Sequence, residues 1–200
     1  GISPCVAETN DMYLNDIRGR HVNRDHVFLA IDSAKGGPVE EGAVGGGTGM
    51  ICYDFKGGIG TASRKLPAKL GGYTVGVLVQ ANFGWRPQLM VDGVPIGREL
   101  AQYKPLRRET QSMLEAKKQV ESGSIIIVLA TDAPCSTRLL NRLAMRAQNG
   151  LARTGSHTGN TSGDFVIAFS TTRRKKHFAD ALTYTAEQIV EQGDLINHMF

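Results

Sequence analysis

A continuous apolar run in the second half of the chain predicts a central strand. Residues 124–130 read Ser-Ile-Ile-Ile-Val-Leu-Ala and show no alternation with polar positions, which is typical of a strand covered on both faces. Residues 73–80 and 165–170 also read as strands, while residues 136–151 carry leucines and alanines at helical spacing with arginines opposite. The pattern predicts an α/β fold in which buried strands are layered against amphipathic helices.

The first half of the chain combines a short helix with glycine-rich and strand-like segments. Residues 25–34 place apolar side chains on one helical face behind Asp25, a candidate N-cap. Residues 41–49 hold too much glycine for a regular element, because each glycine costs backbone entropy in a helix or strand. Residues 50–55 and 59–64 flank a Lys-Gly-Gly turn signal, so we predict a hairpin there.

Three more segments complete the expected order of elements. Residues 91–119 are polar and charged and predict an exposed connecting loop that leads to the apolar run. Residues 155–163 are rich in Gly, Ser, Thr and Asn and predict a second loop. Residues 186–199 predict a final helix. We therefore expect residues 1–200 to form a single domain.

Composition limits the classes of partner. The 200 residues are 41% hydrophobic and 21% charged, which is ordinary for a soluble globular protein, and no apolar run approaches the roughly 18 residues that span a bilayer. The net charge is +4, but the dense basic run at residues 173–177 follows a strand-like segment and is interpreted as a solvated turn. We expect no nucleic-acid partner and no membrane association.

Cysteine and histidine placement indicates neither disulfides nor a metal. Cys5, Cys52 and Cys135 are far apart and odd in number, so we interpret them as free thiols. No cluster of His, Cys, Asp and Glu has metal-ligand spacing, so no metal is expected. The chain begins with Gly rather than Met and ends in a helical pattern, which favours a fragment. The cytoplasm is the favoured compartment, with the periplasm as the alternative because a targeting segment would precede residue 1.

The junction Gly123-Ser124 is the position where the sequence itself suggests chemistry. A polar segment delivers a hydroxyl residue to the start of an apolar strand. If the bond before Ser124 broke, its Oγ and a new α-amine with an unperturbed pKa of about 8 would share one residue, and the amine could act as the base. Gly123 tolerates the strained backbone that an acyl shift onto Oγ needs. A loop that merely ends in Gly-Ser before a strand fits the same residues.

Three long segments resemble one family of self-processing enzymes. Residues 39–63 (VEEGAVGGGTGMICYDFKGGIGTAS), 73–84 (YTVGVLVQANFG) and 123–134 (GSIIIVLATDAP) closely resemble the L-aminopeptidase D-amidase/D-esterase family, which includes the β-peptidyl aminopeptidases. The resemblance runs through essentially the whole chain. It implies an αββα sandwich of the N-terminal-nucleophile type, made as an inactive precursor that cleaves itself before a serine. In this sequence that serine is Ser124.

The resemblance also implies roles for other polar residues. Ser162 and Asp164 match a serine and an acidic residue that hold the amine and Oγ of the nucleophile. Asn82 matches an oxyanion-hole asparagine, and removing one such donor costs on the order of 3 kcal/mol. Without the resemblance, Ser162 and Asp164 read as caps of a turn and Asn82 as a turn residue.

Four positions are expected to contact substrate. Glu8 would approach the free amino group of a substrate, although a lone Glu beside a turn is usually solvated. Tyr13 is the nearest candidate for a tyrosine of the oxyanion region, because Asn10 stands where aromatic residues occur in similar proteins. Gly46 and Gly47 belong to a loop without the Gly-Lys-Ser/Thr ending of a phosphate-binding loop. We expect that loop to lie beside the active site.

The sequence thus predicts a hydrolase that removes N-terminal residues from short peptides, amides or esters through an acyl-enzyme on Ser124, without a cofactor. Residues 1–123 would belong to the large subunit and residues 124–200 to the small one. Similar proteins assemble as homo-oligomers, which the resemblance carries over here. One alternative is an acyltransferase of the ornithine acetyltransferase type, although that type uses a threonine nucleophile. A non-catalytic ligand-binding member of the fold is the other.

Overall fold

A computed structural model describes residues 4–103, 122–172 and 194–199. The α-helices and strands of these ranges are, in chain order, α1 Arg24–Asp32, β1 Ile51–Cys52, β2 Phe55–Lys56, β3 Gly58–Lys65, β4 Thr74–Asn82, α2 Ile96–Glu99, β5 Ser122–Thr131, α3 Thr137–Arg153, β6 Thr161–Ser170 and α4 Asp194–Met199. Short 3-10 turns lie at Ile17–Gly19, Gly45–Gly47, Ala68–Leu70, Arg86–Gln88 and Leu100–Gln102. No helix of the described ranges is long and apolar enough to cross a membrane.

The main sheet has the strand order β3-β4-β5-β6. Strands β3 and β4, and β4 and β5, are antiparallel, whereas β6 runs parallel to β5. A parallel neighbour requires a crossover connection, and α3 supplies it. The apolar run predicted as a central strand therefore lies in β5, with a neighbour on each side. At one end of the sheet, Ser124 pairs with Asn82 of β4 and with Gly163 of β6.

Side chains alternate between the two faces of this sheet. On one face, which we call the helix face, Ile125 and Ile127 pack in one core cluster that includes Leu151 of α3, and Leu129 packs in a second with Leu139 and Leu143 of α3. The other face carries Ser124 and Gly163, since a Cβ built on Gly163 would lie 3.8 Å from Cβ of Ser124. We call it the serine face.

Helix α3 forms as the amphipathic pattern predicts. The side chain of Ser136 caps its start by accepting a hydrogen bond from the backbone N–H of Leu139 at 3.3 Å. Leu139, Leu143 and Leu151 are buried on one side of the helix, and burying a leucine side chain stabilises a fold by about 1.5–3 kcal/mol. This helix holds the central strand, and the residues at its start, in a fixed position.

The predicted hairpin is wrong. The strands β1 and β2 pair with each other instead, across a tight turn at Tyr53 and Asp54, both of which have positive φ, 49° and 60°. Strand β3 pairs along its whole length with β4. The glycines of the Lys-Gly-Gly segment suggested a turn at that segment. The turn of the observed hairpin lies instead at Tyr53 and Asp54, and residues other than glycine seldom have such a left-handed backbone.

Other boundaries differ by a few residues. Helix α1 is capped by Asn23 rather than Asp25, because Oδ1 of Asn23 accepts the backbone N–H groups of Asp25 and His26. Strand β5 begins at Ser122, before the predicted cleavage point. Strand β6 begins at Thr161, inside the predicted loop. The backbone pairing between β5 and β6 lengthens both strands beyond their apolar residues.

Some sequence predictions concern residues outside the described ranges. These are the greater part of the connecting loop, at 104–119, the basic run at 173–177, and residues 186–193 of the last predicted helix. Residues 194–199 of that helix are helical as α4. None of the three described cysteines is joined in a disulfide, as predicted, and Cys135 is buried under α3.

Candidate active site

Ser124 is buried inside the sheet at the junction where the sequence suggests chemistry. It lies in β5 after Ser122 and Gly123, and only 7% of its surface is exposed. The pairing with Asn82 on one side and Gly163 on the other fixes its backbone. Gly163 has no side chain, so the space beside the Ser124 side chain on the β6 side stays open.

Gly123 is required by a close approach of two backbones. A Cβ at this position would lie 2.6 Å from the carbonyl oxygen of Asn82 and 2.6 Å from Cα of Phe83. Side chains do not fit at such distances, and backbone atoms cannot swing away as a side-chain tip could. The backbone of Gly123 does not have a positive φ. The structure thus gives a steric reason for glycine at this position, and the prediction that the bond after Gly123 is cleaved stays a prediction.

The side-chain amide of Asn82 is fixed at both ends beside Ser124. It is 3% exposed, and its Nδ2 donates to Oγ of Ser124 at 3.1 Å and to the carbonyl oxygen of Asn10 at 2.9 Å. The backbone N–H of Ile51 donates to its Oδ1 at 3.0 Å. Because Oδ1 faces a donor and Nδ2 faces a carbonyl, the orientation of the amide is defined by its partners. The arrangement aims an N–H at the oxygen of the candidate nucleophile.

Ser162 and Asp164 form a separate pair on the neighbouring strand. They lie within β6 rather than before it, and Oγ of Ser162 donates to Oδ1 of Asp164 at 2.7 Å. Ser162 is in register with Gly123, and Asp164 with Ile125, so alternation places both side chains on the helix face. The pair flanks the peptide unit before Ser124, whereas Oγ of Ser124 projects from the serine face.

The glycine-rich loop and an N-terminal segment meet next to β4. A Cβ on Gly46 would collide with Oε1 of Gln80, which precedes Asn82 by two residues on the same face. Nε2 of Gln80 donates to Oγ1 of Thr9 at 2.6 Å. A Cβ on Gly49 would lie 2.5 Å from Cβ of Asp11. Absent side chains thus allow the loop to contact β4 and the N-terminal segment closely.

Glu8 and Tyr13 lie at the two ends of this N-terminal segment. Glu8 is exposed and directly precedes Thr9. Tyr13 is 44% exposed, in a turn that follows Asn10, the residue whose carbonyl Asn82 holds. The contacts of Thr9 and Asn10 with β4 bring this segment to the Ser124 end of the sheet. The expected contacts of Glu8 and Tyr13 with substrate stay predictions.

Sequence reasoning missed Lys56. Its Nζ donates to three carbonyl oxygens, those of Gly57 at 2.7 Å, Gly47 at 2.9 Å and Met50 at 3.2 Å. Burial lowers the pKa of this amine from its ordinary value. The glycines of the Lys-Gly-Gly segment drew attention to a turn, and no spacing in the sequence indicates that three carbonyls converge on one lysine.

Within the described ranges, no group of three or more His, Cys, Asp and Glu side chains is placed to hold a metal ion. The candidate site is thus made of a hydroxyl, amide groups and backbone atoms, with the Ser162–Asp164 pair behind the Gly123 peptide. Such a set can supply a nucleophile and a hydrogen-bond donor to a negative oxygen.

Comparison with known proteins identifies the family that this chain resembles along its length. The profile of peptidase family S58 matches residues 1–200. The β-peptidyl aminopeptidase BapA of Sphingosinicella microcystinivorans is 54% identical over 172 residues, which are 84% of this chain and 43% of that relative. The chain thus spans less than half the length of this curated relative.

Two solved structures are similar in both sequence and fold. A Burkholderia sp. β-aminopeptidase is 44% identical with a TM-score of 0.81, over 96% of this chain and 51% of that one. The L-aminopeptidase D-Ala-esterase/amidase of Ochrobactrum anthropi, described as a variant of the Ntn hydrolase fold, is 44% identical with a TM-score of 0.76, over 90% and 46%. These matches confirm the predicted fold class and the resemblance. The chain belongs to peptidase family S58.

Proposed function

We propose that the protein is a self-cleaving serine aminopeptidase and amidase whose nucleophile is Ser124. The observation that carries the proposal is the buried Oγ of Ser124, which accepts a hydrogen bond from the Asn82 amide. Ser124 directly follows Gly123, where a Cβ would lie 2.6 Å from two backbone atoms. The names of the similar proteins, β-peptidyl aminopeptidase and L-aminopeptidase D-Ala-esterase/amidase, support an aminopeptidase rather than an acyltransferase.

The first reaction in this proposal is self-cleavage. Oγ of Ser124 attacks the carbonyl carbon of Gly123, the C–N bond breaks, and the nitrogen takes the proton that Oγ loses. The resulting ester is hydrolysed by water, which leaves a carboxylate on Gly123 and a free α-amine on Ser124. Residues 1–123 and 124–200 then belong to two subunits, which the pairing of β4 with β5 holds together.

The second reaction uses the new amine as a base. An α-amine with a pKa of about 8 keeps a minor free-base fraction near neutral pH, and this fraction can take a proton from Oγ. Oγ then attacks the carbonyl of a substrate, the amine or alcohol product leaves with that proton, and water hydrolyses the acyl-enzyme. Nucleophile and base reside on one residue, so no further general base is needed.

The surrounding polar groups have two separate roles, stabilising the negative oxygen and binding the α-amine. Once Oγ of Ser124 is bonded to the carbonyl carbon, the N–H of Asn82 that donated to Oγ turns to the former carbonyl oxygen, which is negative in the tetrahedral intermediate. Ser162 and Asp164 flank the Gly123 peptide, where the α-amine appears after cleavage, and their oxygens accept its N–H groups. A carboxylate next to the amine favours the ammonium form, which returns a proton to the leaving group.

The substrates we propose are short peptides, amides or esters with a free N-terminus. Glu8 offers a negative charge to the substrate ammonium from the exposed side of the N-terminal segment. Gly46 allows its loop to pack against Gln80 of β4 beside this segment, so the loop borders the proposed substrate site. We propose homo-oligomers by resemblance to similar proteins and a reaction without a cofactor. A cytoplasmic location is favoured, with the periplasm as the alternative.

The test traps the acyl-enzyme in the full-length protein. Processed protein is mixed with p-nitroanilides of an L-, a D- and a β-amino acid and quenched with acid, and the peptides are analysed by mass spectrometry. Release of p-nitroaniline together with an acyl group on Ser124 is the expected result. Turnover with the acyl group on another residue, or no turnover of any of the three, would contradict the proposal.

A further inference from the structure

Lys56 is bound in an unusual way for a charged residue. Its three carbonyl acceptors belong to the glycine loop, to the residue before β1 and to the residue before β3, namely Gly47, Met50 and Gly57. The ion pair between His21 and Asp16 does not include Lys56, and no described carboxylate forms a salt bridge with Lys56. A lysine ammonium has three donors and no acceptor capacity. All three donors are therefore used to hold backbone, and none to neutralise an acid.

One of those carbonyls connects Lys56 to the candidate oxyanion donor. The carbonyl of Met50 accepts from Nζ of Lys56 at 3.2 Å and from the backbone N–H of Gly57 at 2.8 Å. The same peptide unit ends in the N–H of Ile51, which donates to Oδ1 of Asn82 at 3.0 Å. A peptide unit is planar and its C=O and N–H point in opposite directions. Fixing the carbonyl therefore fixes the direction of the Ile51 N–H.

The Asn82 amide is planar as well, so the constraint continues through it. Holding Oδ1 at Ile51 sets the direction of Nδ2, which donates to Oγ of Ser124 at 3.1 Å. The path from Lys56 to Ser124 thus contains two rigid planes and three hydrogen bonds. Met50 is 2% exposed and Asn82 is 3% exposed, so this path runs through the buried interior.

We propose that Lys56 is a positioning residue for Asn82, acting through the peptide unit between Met50 and Ile51. The proposal rests on the proposed function, because it assigns Asn82 the role of oxyanion donor. Lys56 itself contacts neither Ser124 nor substrate in this account. Its loss leaves Asn82 in place but lets the amide rotate, so that the donor spends less time aimed at the reacting oxygen.

The experiment compares Lys56→Met with Lys69→Met in the full-length protein. Lys69 is an exposed lysine in the 3-10 turn between β3 and β4, at the other end of the sheet, so it controls for the loss of one charge. Removal of a whole oxyanion donor costs about 10²–10³ in kcat, and we expect Lys56→Met to lose about 10-fold in kcat and in the rate of self-cleavage, with KM within about 2-fold. Lys69→Met should match the parent.

A double-mutant cycle separates positioning from a general structural role. In an Asn82→Ala background the donor is absent, so adding Lys56→Met should change kcat by less than about 2-fold. The same 10-fold loss in both backgrounds, or an unchanged kcat in Lys56→Met alone, would overturn the proposal. Lys56→Arg keeps the charge, but a planar guanidinium does not match three converging carbonyls, so an intermediate kcat is expected.

Hydrogen exchange tests the positioning role of Lys56 independently of activity. The amide of Ile51 should exchange about 10-fold faster in Lys56→Met than in Lys69→Met, because its N–H is no longer held in line with Oδ1 of Asn82. Unchanged exchange would contradict the positioning role even in an active enzyme. A parent that neither cleaves itself nor turns over substrate would refute the proposed function, while the exchange result would still decide whether Lys56 orients this peptide unit.

Discussion

Two polar clusters lie at the same end of the sheet, on opposite faces. On the serine face, the Asn82 amide contacts Oγ of Ser124 and is itself held by backbone groups on two sides. On the helix face, Ser162 and Asp164 bond to each other and flank the Gly123 peptide. In the proposed mechanism, the uncut chain therefore already pairs the proposed nucleophile with its donor, whereas the second cluster borders the position where cleavage would create an amine.

This difference assigns the clusters to different steps. Stabilising a negative oxygen is needed in both self-cleavage and substrate turnover, so the serine-face cluster should matter for both. Holding an ammonium is needed only once the α-amine is free. The helix-face pair should therefore affect turnover more than the first cleavage.

The largest expected effect is at Asn82. Asn82→Ala removes the donor to Oγ and should lower both kcat and the rate of self-cleavage by about 10²–10³. Asn82→Asp keeps the acceptor for Ile51 but lacks the N–H, so it should lose as much. Asn149→Ala, at an exposed position of α3, is the matched control. A loss confined to kcat or to the rate of self-cleavage would contradict a role of the serine-face cluster in both reactions.

The next largest effect on kcat is expected at the helix-face pair, Ser162 and Asp164. Ser162→Ala and Asp164→Asn remove hydrogen bonds to a charged amine, each of which contributes about 1.5–3 kcal/mol, so kcat should fall about 10–100-fold. Self-cleavage should slow less, because the amine is absent during that step. Rates of both reactions, measured beside Ser63→Ala at an exposed position of β3, decide this. Equal losses in both reactions would show that the two faces act together.

A smaller effect concerns the glycine that separates the clusters. Gly123→Ala places a Cβ 2.6 Å from two backbone atoms, so the strands must move apart, at a cost of about 1–3 kcal/mol in the free energy of unfolding. Gly150→Ala is the control, because a Cβ there meets nothing within 4 Å in helix α3 and should stabilise by up to about 1 kcal/mol. Denaturant unfolding measures both. A Gly123→Ala protein as stable as the parent would contradict the close approach.

The smallest effect is in the core cluster beneath α3 that contains Cys135. Burial raises the pKa of the Cys135 thiol, which is 1% exposed beneath α3. A raised folded-state pKa gives a contribution that is complete below the unfolded-state pKa and is lost as the pH rises through the folded-state pKa. The Tm of the parent should therefore fall more between neutral and alkaline pH than that of Cys135→Ala. Parallel falls would show that the thiol does not titrate in this way.

Local patterns predicted the elements that carry their own signal. The apolar run of β5 and the leucine spacing of α3 determine both elements within a few residues, because burial of those side chains is the main stabilising term. Long-range pairing is different. Nothing near β3 indicates that it pairs with β4 rather than with the segment before it, and the positive φ of Tyr53 and Asp54 has no sequence signal of the kind glycine gives.

The candidate site shows the same division. Resemblance to a family supplied Ser124, Asn82 and the Ser162–Asp164 pair, and the structure adds the faces on which they lie. Lys56 could not be found from the sequence, because its role depends on carbonyl directions rather than on residue types. The reason for glycine at 123 also needed coordinates, since it depends on how closely β5 approaches the end of β4.

The central claim, that Ser124 is released by cleavage of its own peptide bond, is tested most directly by intact mass. The full-length parent, Ser124→Ala and the control Ser63→Ala are purified and measured under denaturing conditions. The account predicts two fragments in the parent and in Ser63→Ala, one ending at Gly123 and one beginning at Ser124, and a single uncut chain in Ser124→Ala. A folded parent that stays uncut, or a Ser124→Ala variant that is cut at the same bond, would contradict it.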